Sequence, residues 1–108
     1  MKVDYDSEGH SLLFEFGEFH VFEEGDSVVE LERGECIVSM HKGRPGSIHL
    51  LDADKDIGPL DEAAERFELD ATALRAAAHA ALAAPDREIL IEVGEQRLVG
   101  AESRAQAA

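Results

Sequence analysis

The chain has 108 residues and a mass of 11.7 kDa, which is one domain and leaves no room for two full-sized ones. Twenty-four acids against ten bases give a net charge of −14, excluding unaided, non-specific nucleic-acid binding as a default role. The 44% apolar fraction overstates the core, because 16 of those residues are alanine and there is no tryptophan, so a core completed by a second copy is expected.

Met1 to Asp6 lacks the basic start and apolar stretch of a signal peptide, and no apolar run approaches the ~20 residues of a membrane span. The single cysteine, Cys36, makes neither an intramolecular disulfide nor a multi-cysteine zinc site. The expectation is a cytoplasmic protein without a cofactor.

Up to about Asp52 the pattern is that of strands. Lys2 to Tyr5 reads as one, and Leu12, Phe14 and Phe16 alternate with Leu13 and Glu15 in the period of a half-covered sheet. Phe19 and Val21 alternate with Glu18, His20 and Phe22. Glu24-Gly25-Asp26 and Arg33-Gly34 punctuate Val28 to Leu31 as turns. Cys36 to His41 and Ser47 to Leu51 flank Lys42-Gly43-Arg44-Pro45-Gly46 as a hairpin, and a turn centred on Gly43-Arg44 sets Val38 opposite His49. From Leu60 the period becomes helical. Gly58-Pro59 opens a first helix, with Asp61 and Glu62 in its first turn, and Leu69-Asp70 interrupts. Asp70 caps a second helix from Ala71 to Ala84, in which nine of 14 residues are alanine, and Pro85 stops it. Ile89, Ile91 and Val93 then alternate into a Gly94-Glu95 turn, which sets Glu92 opposite Arg97 and Ile91 opposite Leu98.

The predicted fold is α+β: an antiparallel meander of four to five short strands, two helices and a C-terminal β-hairpin. A single domain covers 1–100, with a β-rich half over 1–56 and a helix-helix-hairpin half over 57–100. Residues 101–108 are expected to fray.

Two resemblances come with residues attached. Tyr5, Asp6, Glu8 and Leu12, then Gly43, Arg44, Ile48, Leu50, Leu51, Asp52 and Ala53, make residues 1–56 resemble domain-of-unknown-function family 2283. His10, Leu13 and Ser47 depart from that pattern. The resemblance implies a β-rich module and carries no catalytic residues. Leu60 to Arg75 more weakly resembles a bacterial helix-turn-helix, implying a transcriptional regulator as one alternative function. Against DNA reading, the turn holds Glu68 where glycine is usual, and residues 59–87 carry six acids and three bases.

Asp52, Asp54 and Asp56 have the alternate spacing that opens a calcium loop, so a weak cation site there is a second alternative. The glycine falls one place late, at Gly58, and the twelfth position is Ala63 rather than an acid. Cys36 and His41 fall on opposite faces of a regular strand, so with His49 they form no ready metal set. No Gly-x-Ser-x-Gly elbow or phosphate loop is present, and with so many acids no pair stands out as general acid and base. The leading expectation is a non-catalytic module whose acidic surface docks a basic protein partner, in an antitoxin-like role for example. A homodimer is expected, on the strength of apolar surface left by the alanine-rich helix and the sheet edge. Nucleic-acid and membrane partners are not.

Overall fold

Strict alternation in the sequence becomes sheet. The structure is a computed structural model and describes residues 1–17, 26–31, 35–91 and 102–103. Its strands are β1 (Lys2–Asp6), β2 (Ser11–Glu15), β3 (Ser27–Glu30), β4 (Cys36–His41), β5 (Arg44–Leu50), β6 (Glu88–Leu90) and β7 (Glu102–Ser103). Helices α1 (Pro59–Phe67) and α2 (Ala71–Ala83) lie between β5 and β6 in the chain. All strands join one antiparallel sheet in the order β3-β4-β5-β2-β1-β6-β7, so the fold is α+β. The expected strand over Phe19–Phe22, the turn residues Glu24, Gly25, Arg33 and Gly34, and the Gly94-Glu95 turn with Glu92, Arg97 and Leu98 lie outside the described residues.

A simple meander would lay β3 beside β2. Here β5 takes that place, and β3-β4-β5 folds back from the far edge. The reason is visible in the pairing, which lines the large apolar side chains into two rows on one face. One row runs Cys36–Leu50–Leu12–Tyr5, and the other runs Val29–Val38–Ile48–Phe14–Val3–Ile89. Leu12, Phe14, Val38, Ile48 and Leu50 are fully buried. A one-residue slip of β5 against β2 would turn its apolar set outward, so the register is strongly specified.

The helices cover this face. α1 lays Leu60, Ala63 and Ala64 toward β4 and β5, while α2 lays Leu74, Ala77, Ala78 and Ala81 toward β1 and β6. Ala77, Ala78 and Ala81 have no exposed surface, and methyl groups permit that close approach of helix to sheet. One ground for expecting a homodimer therefore fails, because the alanine face of α2 is covered within the chain.

Four local findings differ from the sequence reading. The β4–β5 turn is centred on Lys42-Gly43, with φ of 51° and 77°, the pair of left-handed residues that a type I′ turn needs. A register shift between Ser39 and Met40 leaves Gly46 outside the ladder, so Ile37 rather than Val38 faces His49. β6 and β7 pair Ile89 with Ser103, three places out of step with the register that a Gly94-Glu95 turn imposes, and Glu102–Ser103 thus joins the sheet within the stretch expected to fray. The fourth concerns Glu68, which takes the left-handed conformation at φ 57° that its side chain disfavours. Its N–H and that of Leu69 both donate to the Ala64 carbonyl, closing α1 before Asp70 caps α2 through Ala73 N–H at 3.0 Å.

Glu68→Gly is expected to stabilise the protein by about 1 kcal/mol, seen as a rise of several degrees in Tm, because glycine adopts this conformation without the Cβ clash. An unchanged or lower Tm would contradict the left-handed turn. Ala77→Leu is expected to cost about 1–3 kcal/mol in chemical denaturation, since no space exists between α2 and the sheet.

Candidate functional site

The acidic connection after β5 does not gather its carboxylates. Asp52 is left-handed at φ 49°, and its carbonyl accepts from the N–H of Lys55 at 3.0 Å and of Asp56 at 3.4 Å. The Asp52 carboxylate raises the Glu35 pKa, first by accepting a hydrogen bond from the protonated Glu35 carboxyl and then through its charge. Asp54 turns to His10, with Oδ2 3.3 Å from Nδ1. Asp56 Oδ1 accepts from Gly58 N–H at 2.7 Å, a local turn closure ahead of α1. The twelfth position, Ala63, is buried under the sheet. Asp52, Asp54 and Asp56 thus serve three separate partners, and among the described residues no three histidine, cysteine, aspartate or glutamate side chains come together as a metal ligand set.

The cysteine and histidines are likewise dispersed. Cys36 is in the core, where burial, and secondarily Glu62, pushes its thiol up to about 11, so it is no ready thiolate. His41 is on the other face with Nδ1 2.7 Å from Asp26 Oδ1, and His49 lies between Ile37 and Leu13 on that same face.

Left-handed Glu68 turns the chain between α1 and α2, and α2 spends its apolar face on β1 and β6. Of the residues that would read DNA, Thr72 and His79 are exposed and Arg75 is bonded to Asp61 on α1. That leaves little positive charge for phosphates.

What the pairing does bring together, among the described residues, is a set of acids on the face of the sheet opposite the helices. Asp4 faces Glu88 across the β1–β6 ladder and Leu13 across the β1–β2 ladder, and Lys2 faces Glu15. Strands β1, β2 and β6 carry four acids, Asp4, Asp6, Glu15 and Glu88, against one base, Lys2, all on this face. Lys2 Nζ approaches Glu88 Oε1 at 3.7 Å. The pKa of Asp4 is raised, first by burial and then by repulsion from Glu15, Glu88 and Asp6, against a smaller opposing effect of His49. Apolar side chains share this face: half-buried Leu13 stands opposite Asp4 and Leu90, 44% exposed, opposite Lys2, while half-buried Ile37 and Val28, 54% exposed, lie farther along on β4 and β3. Sequence reading missed this set because β1 meets β6 across more than 80 residues, although alternation within β1 already places Asp4 and Asp6 on one side.

Among the described residues no helix is long and apolar enough to cross a membrane. Compared with family models, characterised proteins and solved structures, the chain matches none.

Two measurements follow from these contacts. For Asp4 the folded-state pKa lies above the unfolded one, so the native state binds the proton more tightly and stability rises as pH falls through the raised value. Asp4→Asn is expected to stabilise the protein at neutral pH by about 0.5 kcal/mol, the scale of a like-charge pair placed directly opposite, and to flatten that acid-side gain. Asp86 acts in the opposite sense. Its pKa is lowered by hydrogen bonds from the Ser7 hydroxyl and N–H, so its contribution is present above the usual aspartate range and is lost on further acidification through the lowered value. Millimolar calcium is expected to leave the melting midpoint unchanged, with Asp54→Asn behaving as the unaltered chain does. An upward shift would restore the cation reading.

Proposed function

We propose that the protein is a non-catalytic interaction module that docks a basic protein partner on the face of its sheet opposite the helices. The observation that carries this reading is the Asp4–Glu88 juxtaposition, with Glu15 and Asp6 beside it and Lys2 as the single base on those strands. Like charges held directly across a ladder cost stability in the free protein. A cationic surface placed over them converts that repulsion into attraction, and complementary potentials also speed encounter and penalise acidic competitors. Leu13 and Leu90 supply apolar area beside the charges, and Ile37 and Val28 extend it across the same face, as an interface core requires. The net charge of −14 extends the same preference over the molecule. One concrete form of the role is antitoxin-like, in which the acidic face covers the nucleic-acid site of a small basic toxin.

The test is capture from the native host at low and at molar salt, identification of the retained protein, and titration of that purified protein against the Asp4→Asn/Glu15→Gln/Glu88→Gln variant. The expected result is a basic partner that is released by salt and bound at least about tenfold more weakly by the variant. An acidic partner, or equal affinity for the variant, overturns the reading.

A further inference from the structure

One end of the sheet has a character opposite to the acidic face. A cleft of about 470 Å³ lies between the end of β2 and the β4–β5 turn, lined by Phe16, His41, Lys42, Arg44, Pro45 and Gly46. Its walls are set by the fold. The type I′ turn at Lys42-Gly43 fixes His41 opposite Arg44, and Phe16 N–H donates to the Gly46 carbonyl at 3.0 Å, tying β2 to the bulge. His41 is held from behind by Asp26, whose side chain is only 7% exposed.

Lys42 and Arg44 are exposed on this wall, and among the described residues neither has an acid within ion-pair distance. Two such cations flank one glycine in a chain with 24 acids and ten bases. At physiological salt the Debye length is about 8 Å, so an anion entering here is governed by the nearby groups, Lys42 and Arg44 with the Asp26 carboxylate engaged by His41, rather than by the net charge. The remaining wall includes a phenyl ring and a proline ring, Phe16 and Pro45, which favour an apolar body over a bare ion.

We infer that this cleft binds a small phosphate monoester with a ring-sized organic body. The Arg44 guanidinium and Lys42 ammonium take the phosphate, and Phe16 and Pro45 take the ring. The site is distinct from the acidic face and does not rest on the partner reading.

Phenyl phosphate is the probe, followed by amide chemical shifts in two-dimensional NMR. The expected result is saturable movement at Gly17, Lys42, Gly43 and Gly46, with affinity at least about tenfold lower for inorganic phosphate and for the Lys42→Gln/Arg44→Gln variant. The single variants Lys42→Gln and Arg44→Gln provide the same comparison should the double variant fail to fold. Shifts that grow without saturating, equal affinity for inorganic phosphate, or variants that bind as the unaltered chain does would each overturn the site.

Discussion

The structure depends on two apolar rows laid across the sheet by the pairing of β5 with β2. Leu50 against Leu12 and Ile48 against Phe14 join the N-terminal hairpin to the β3–β5 meander, and without that seam the chain would hold two separate small sheets. A two-stranded hairpin is marginal by itself. Once the rows exist they define one face for the helices, and the remaining side chains of the same strands are committed to the other face. The acidic face is therefore a by-product of the core register as much as a feature in its own right.

Much of the fold was legible because its signals are local. Alternation from Leu12 to Glu15 and from Cys36 to His41, the Asp70 cap and the Pro85 stop each act within a few residues, and each element is found close to its expected place. The order of strands was not legible, since nothing in β2 announces that its neighbour arrives with Ile48 rather than Val28. The turn at Lys42-Gly43 was missed by one residue for a similar reason. Lysine is an unremarkable sequence signal, yet it takes the left-handed place that a two-residue turn demands. Glu68 shows the same override: helix packing and two hydrogen bonds onto Ala64 outweigh its local preference.

The candidate sites are less legible in the sequence than the fold. The aspartate spacing at Asp52, Asp54 and Asp56 is a pattern in one dimension, and the backbone spends those side chains on Glu35, His10 and Gly58. Conversely, Asp4 and Glu88 carry no motif, and only the closing ladder makes them neighbours. The cleft beside Lys42 and Arg44 is hidden in the same way, because Phe16 reaches it from another strand.

The β1–β6 ladder also sets a timetable. β1 sits inside the sheet, yet its second neighbour, β6, follows it by more than 80 residues, and the ladder continues to a bond from the Met1 amino group to the Ile91 carbonyl at 2.9 Å. Until residue 91 has left the ribosome, one side of β1 is an open edge with Val3 and Tyr5 on its inner face. Pairings between such distant segments form slowly, and open edges invite neighbouring nascent chains to add on. Asp4 and Asp6 charge that edge throughout the wait, as edge strands are charged in proteins that avoid aggregation. The repulsion that costs the finished fold some stability thus guards the unfinished one.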